Sequence, residues 1–307
     1  MFNVLGIALN VISPIFIIMG ASFVIGRRLQ PDPRALSVFL IYLLVPMLTF
    51  EGIRESQLSP QELGGIAGMV AGMTVVMVAL GSLVARRARW DNRLTGGFII
   101  SLIMVNAANY GIPVNTFAFG EEGGKVAIVY YALNTIVGNV LGIYFASGGS
   151  TNARQALWNV LTVPGVYAAF IGLAFNFGAV TLPLPIERAI DIVASGAIPV
   201  MLILLGLQLA RTTTVSGKLR PVLVGVALRL GLAPLIALPM AWLLGLTGVA
   251  FNVAVVQSSM PSAVFINALA SEFGSDTEYT AMMTLVSTLF SVVTLSLLIA
   301  VLGGGKA

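Results

Sequence analysis

The chain has 307 residues, 58% hydrophobic and 9% charged, with a formal net charge of +4, no histidine and no cysteine. A soluble domain carries roughly a quarter charged residues, so this chain holds too little charge for water to solvate. Without histidine it also lacks the usual neutral-pH general base and the commonest metal ligand, and its Lys and Arg sit in short turns rather than on one basic face, which argues against nucleic acid.

A hydrocarbon core about 30 Å thick takes about 20 apolar residues per helical crossing. Apolar runs bounded by charge, Pro or Gly predict spans near 4–25, 36–51, 63–85, 95–119 and 124–147, then 156–179, 188–210, 220–244, 248–270 and 279–302. The first run has no basic region before it and is followed by Arg27 and Arg28, so it reads as a retained span and not a signal peptide. The expected fold class is an all-α polytopic membrane protein of ten transmembrane helices.

Basic residues alternate between connections. Arg27, Arg28 and Arg34 lie in the first, Arg86, Arg87, Arg89 and Arg93 in the third, and Arg211, Lys218 and Arg220 in the seventh. Connections of the opposite parity hold Arg54, Lys125 and Arg188, with Lys306 at the C-terminus. The positive-inside bias then predicts a multi-pass protein of the cytoplasmic membrane with both termini outside. The ninth connection, with Glu272, Asp276 and Glu278 and no basic residue, gives that orientation no support.

Landmarks also recur in order. Asn10-Val11-Ile12-Ser13-Pro14 opens the first half and Asn159-Val160-Leu161-Thr162-Val163-Pro164 the second; Pro46 and Pro199 follow, then Pro113 and Pro261. The order predicts a duplication, 1–150 and 151–307, of five spans each. An odd number makes the second copy enter from the opposite side, the inverted repeat of many secondary transporters.

Spans four and nine carry the candidate site. In Asn106-Ala107-Ala108-Asn109-Tyr110-Gly111-Ile112-Pro113-Val114-Asn115, Pro113 has no amide hydrogen and clashes with the carbonyl of Asn109, while Gly111 eases departure from helical geometry. Gln257-Ser258-Ser259-Met260-Pro261-Ser262 repeats the pattern. Both helices are expected to open at the proline and to meet near the midplane. Each proline is expected to begin a second half-helix, whose free amides and positive dipole end favour an anion. Freed backbone groups cannot face lipid; Asn106, Asn109, Asn115, Gln257, Ser258, Ser259 and Asn267 are on hand to satisfy them. Sodium coupling would use the freed carbonyls, but no intramembrane Asp pair marks a cation site, and no metal or cofactor is expected.

Other polar residues leave alternatives open. Arg229, about 13 Å into span eight, can snorkel to the interface, hold a structural pair or attract an anion. Asp191, Glu187 and Glu51 lie near the outer surface and read as interfacial charges or as proton-coupling carboxylates. Gln208 and Asn134 fit bonds across helix contacts. With neither His nor Cys, a Ser/His or zinc enzyme is excluded, and polar residues clustered at one depth do not make a continuous channel pore.

At these residues the sequence resembles the auxin efflux carrier family, which includes the plant PIN-type exporters and many prokaryotic members. The matching features are Leu44-Val45-Pro46-Met47-Leu48-Thr49-Phe50, Asn106 before Gly111-Ile112-Pro113, Phe119-Gly120-Glu121-Glu122-Gly123, Pro199 with Leu204-Leu205-Gly206-Leu207, and Gln257 before Pro261. The resemblance implies two inverted sets of five spans, with helices four and nine crossed. It implies a scaffold of spans 1, 2, 6 and 7, against which spans 3–5 and 8–10 move as an elevator. It also implies export of small organic anions, auxin-like or dicarboxylic acids, and a homodimer in the bilayer. Asn106 and the crossover around Pro113 and Pro261 correspond to the family's substrate region, and Asn134 matches approximately. PIN-type exporters often carry a long hydrophilic loop between the halves, where this chain has only Gly148 to Gln155.

Overall fold

The computed structural model describes residues 4–148, 163–212 and 216–304. Its regular structure there is helical apart from one isolated β-bridge. In chain order the helices are α1 Val4–Leu29, α2 Arg34–Arg54, α3 Pro60–Ala88, α4 Asn92–Ile103, α5 Ala107–Ala146, α6 Pro164–Phe177, α7 Leu184–Ala210, α8 Leu219–Leu243, α9 Gly248–Ser258, α10 Ile266–Phe273 and α11 Thr277–Val301. Seven of them, α1, α2, α3, α5, α7, α8 and α11, are long and apolar enough to cross a membrane; α6 and α9 are apolar but shorter. Large apolar side chains remain exposed along the chain, Ile17 at 68% and Trp242 at 72% among them. Water disfavours such a surface and lipid accepts it.

The expected spans map onto these helices with instructive differences. α5 joins two of them: at Gly120 the backbone turns through φ +73°, so 107–119 completes the fourth and 121–146 forms the fifth. The sixth was expected from 156, and α6 begins at Pro164; the landmark Asn159 to Thr162, the 150/151 boundary and Lys306 lie outside the described residues.

Local chemistry sets the helix starts. Ser59 and Glu62 form a capping box around Pro60 at the start of α3, and the Asp91 and Asp276 carboxylates cap α4 and α11 by accepting from Leu94 and Tyr279 amides. Inside the helices, Ala8–Ile12, Leu40–Leu44, Ala107–Gly111 and Ala227–Leu232 are π-helical, and the second residue beyond each is a proline: Pro14, Pro46, Pro113 and Pro234. A proline cannot donate to the carbonyl four residues back and collides with it. Widening the preceding turn by one residue moves that carbonyl aside without cutting the helix.

Polar contacts between connections fall into two groups. Arg211 donates to the Pro31 carbonyl at 2.8 Å and lies 3.8 Å from Asp32, joining the seventh connection to the first. Lys218 pairs with Asp276 and, at 3.4 Å, with Glu278; Arg93 donates to the Gly274 carbonyl at 3.0 Å. At the other end Arg54 pairs with Glu187 at 3.1 Å and Lys125 with Glu55 at 3.0 Å. Each contact joins connections of one parity, as a chain crossing end to end requires. The acidic ninth connection, uninformative in sequence, is the partner of Lys218 in the seventh.

Packing is densest between α1 and the second half of α7 and between α2 and α6, while α3, α4, α5, α8, α9 and α11 pack among one another. Gly206 sits where a Cβ would lie 2.3 Å from the Met19 carbonyl, so α1 and α7 touch backbone to backbone.

Candidate functional site at the helix crossover

α4 stops at Ile103 and α9 at Ser258, and each chain runs extended before helix resumes at Ala107 and Ile266. The two extended pieces pair with each other. Val105 and Ser262 form an antiparallel bridge, the Asn106 amide donates to the Pro261 carbonyl at 2.9 Å, and the Ala263 amide donates to the Met104 carbonyl at 2.8 Å. Backbone groups opened inside a membrane must find partners away from lipid, and here each break supplies the other's.

The second break falls at Pro261 as expected, but the first is not where its proline placed it. The first is centred on Val105, and Pro113 lies beyond a π-turn in the first turn of the helix from Ile112, its missing bond absorbed by that turn. Pro261 lies within the extended piece, whose backbone suits its fixed φ, and α10 begins only at Ile266. Pro261 therefore does not begin the second half-helix.

Asn106, Gly111, Asn115 and Gln257 come together here. Asn106 is buried, and its Nδ2 has no partner among the described residues. Gln257 is fully buried and donates from Nε2 to the Ala107 and Ala127 carbonyls, both at 3.2 Å, leaving Oε1 unpartnered. A Cβ on Gly111 would stand 2.2 Å from that Oε1, so only glycine fits opposite the amide. Asn115 donates to the Gly111 carbonyl at 2.7 Å and keeps Oδ1 free; Asn267, at the start of α10, also has an unpartnered Oδ1. Ser262 donates to the Ser101 carbonyl at 2.7 Å, Ser259 bonds back to Val255, and Asn109 is half-buried on the π-turn. Buried polar atoms without partners are rare in folded chains; a cluster holding both donors and acceptors is suited to a polar ligand.

Arg229 comes from the π-turn of α8 and is 2% exposed. Its Nε donates to the Met260 carbonyl at 2.9 Å and its Nη1 to the Leu102 carbonyl at 2.8 Å, while Nη2 is unpartnered. It neither snorkels nor pairs with a carboxylate among the described residues; it caps the C-terminal ends of α4 and α9 together. Asn134 and Ser258 share a small cavity with it. Asp191 is not brought to this cluster. With Glu51, Glu55, Thr116 and Lys125 it lines a separate cavity of about 180 Å³ between α2, α5 and α7.

Three contributors escaped the sequence reading. The Tyr130 hydroxyl lies 3.0 Å from Ser258 Oγ, the Tyr110 hydroxyl accepts from Ser291, and Ser287 accepts the Ser262 amide. A signal was present: Thr280, Thr284, Ser287, Thr288 and Ser291 recur at helical spacing on the buried face of α11.

Residues 150–299 match the family described as "Membrane transport protein". Over 290 residues, 89% of this chain and 90% of the relative, the sequence is 30% identical to an uncharacterized transporter of Methanothermobacter thermautotrophicus. The chain belongs to the auxin efflux carrier family of membrane transport proteins. Within that family it is also 25% identical, over 88% of its own length and 87% of the relative's, to a protein of Rhizobium meliloti that its name proposes as a malonate transporter. A second archaeal transporter, of Methanocaldococcus jannaschii, is 25% identical over 67% of this chain and 68% of its own. An auxin efflux carrier family member is a membrane transporter and not an enzyme.

Proposed function

We propose that this transporter exports small organic anions, mono- or dicarboxylates, across the cytoplasmic membrane by an elevator movement of the crossover. The observation that carries the reading is the paired break itself. The negative C-terminal ends of α4 and α9 are covered by Arg229, whereas among the described residues no carboxylate bonds to the positive N-terminal ends at Ala107 and Ile266. The net field favours an anion beside Asn106, Gln257 and Asn115. The relative named for malonate agrees with a carboxylate.

The ten-span inverted repeat belongs to the same proposal, supported by the same-parity contacts and by the antiparallel meeting of the two breaks. So does the division into a scaffold of spans 1, 2, 6 and 7 and a moving body of spans 3–5 and 8–10, supported by the two sets of packed helices. Arg27, Arg86 and Arg211 all lie in odd-numbered connections, and the positive-inside bias supports a cytoplasmic end there with both termini outside. A second copy completes a homodimer, as the resemblance implies.

The test is flux of labelled malonate and of monocarboxylates in proteoliposomes. Asn106→Ala should slow the initial rate by about tenfold or more, the loss of a hydrogen bond to a charged group. No flux above protein-free liposomes for any acid, with Asn106→Ala indistinguishable from the parent, would sink the reading. One observation favours proton coupling as a second reading: Glu51 and Asp191 face one cavity between the proposed bodies. Glu51→Gln should then abolish stimulation by an imposed pH gradient while leaving exchange at equal pH intact.

A further inference from the structure

Among the described residues, Arg229 is the one buried charged side chain, and it sits at the crossover. Of the carbonyls that Arg229 holds, Leu102 in the last turn of α4 is one that lacks an intrahelical partner, and Met260 lies in the extended piece two residues beyond the negative end of α9. In transporters built on broken helices, carbonyls at such ends are what a coupling sodium ion binds. A guanidinium brings the same unit charge in fork geometry and stays protonated. Beside it is a cavity of about 10 Å³, room for one water, edged by Tyr130, Asn134 and Ser258. Tyr130 is the titratable neighbour that faces it, and no carboxylate among the described residues offsets its charge.

The lining of that cavity comes from α3, α4, α5, α8 and α9 together with Val105, and from none of α1, α2, α6 or α7. The π-turn at Ala107–Gly111, in contrast, packs against the second half of α7, and Tyr110 sets its ring edge against Phe16 of α1 at 6.1 Å. Arg229 thus approaches the breaks from within the body that carries them, away from the face that meets α1 and α7.

We propose that Arg229 is the resident cation of the crossover, holding the two helix ends together as a bound sodium ion would, and that transport consequently needs no sodium. This goes beyond the anion reading, because it concerns what holds the breaks rather than what crosses the membrane.

The test needs no substrate. Melting of the purified full-length protein is followed in sodium, potassium and choline chlorides at equal ionic strength, and binding of radioactive sodium is measured alongside. The parent protein and Arg229→Lys should melt alike in sodium and potassium and show no saturable sodium binding. Arg229→Ala uncovers two carbonyls, and should melt lower in potassium and recover by about 2–4 °C in sodium. Saturable sodium binding to the parent overturns the proposal. A folded Arg229→Ala protein indifferent to sodium overturns it too. Should Arg229→Ala not fold, the parent and Arg229→Lys decide: sodium indifference in both supports the proposal, and a sodium-specific shift in either refutes it. A purely structural role for the side chain would lower stability equally in every salt.

Discussion

Gly111 and Gln257 reach the same point from the two breaks, and a single methyl group separates fit from collision. A Cβ at position 111 would stand 2.2 Å from Oε1 and 2.9 Å from Cδ of Gln257. Moving the amide aside would cost its bonds to the Ala107 and Ala127 carbonyls. Gly111→Ala should therefore destabilise by about 2 kcal/mol and depress transport more than stability alone explains. The check is a double-mutant cycle with Gln257→Ala by thermal unfolding. Steric origin requires a coupling of about 1–2 kcal/mol; additive effects would remove the explanation. At this scale the sequence was partly readable. Asn106, Gln257 and Gly111 were visible because Asn, Gln and Gly are conspicuous inside apolar runs. Tyr130 and Tyr110 were not, because an aromatic in a membrane helix looks the same facing lipid or a serine.

Among the elements, the π-turns ahead of Pro14, Pro46, Pro113 and Pro234 hold one residue more than an α-turn would. Pro113→Ala restores an amide hydrogen and lets the turn before it relax to α, rotating Asn106 and Tyr110 relative to the helix that follows. Stability should stay within about 1 kcal/mol, since a lost strain offsets lost rigidity, whereas transport should fall. Retained flux would show that the π-turn does not set the site. This also explains why the break was misplaced in the sequence reading: a proline marks a disturbed hydrogen bond, but a π-turn, an extended piece and a kink all answer it. At the other end of the fold, burial lowers the pKa of Lys218, yet the hydrogen bond and charge of Asp276 with the charge of Glu278 outweigh it and raise the group above its ordinary 10.5. A raised pKa adds stability below the unfolded value that is lost as pH climbs through the folded one. Lys218→Met should lower the melting temperature at pH 7 and erase the difference from the parent at strongly alkaline pH.

Over the whole molecule, the proposed scaffold and moving body are joined at one end by Lys125 on α5 and Glu55 beyond α2, 3.0 Å apart. The chain has no cysteine, so Glu55→Cys with Lys125→Cys gives a pair of thiols on an otherwise thiol-free protein. A bifunctional maleimide across them should arrest transport if the two sets move apart, whereas either single cysteine, labelled alike, should remain active. Transport through the cross-linked pair would remove the elevator. Composition showed the membrane class, and the order of the prolines suggested duplication. The meeting of the breaks through backbone bonds could not be read, since it depends on main-chain groups that every residue type shares. A last consequence attaches to Arg229. In an elevator its positive charge travels with the moving body, so a carrier loaded with a monocarboxylate crosses with no net charge at the site, and an empty one crosses carrying one. An inside-negative potential then leaves the outward loaded step untouched. In the proposed export cycle it would draw the empty carrier back, by up to about 2.3 kcal/mol per 100 mV for a full crossing, so that the resting voltage of the cell would return the carrier for the next anion.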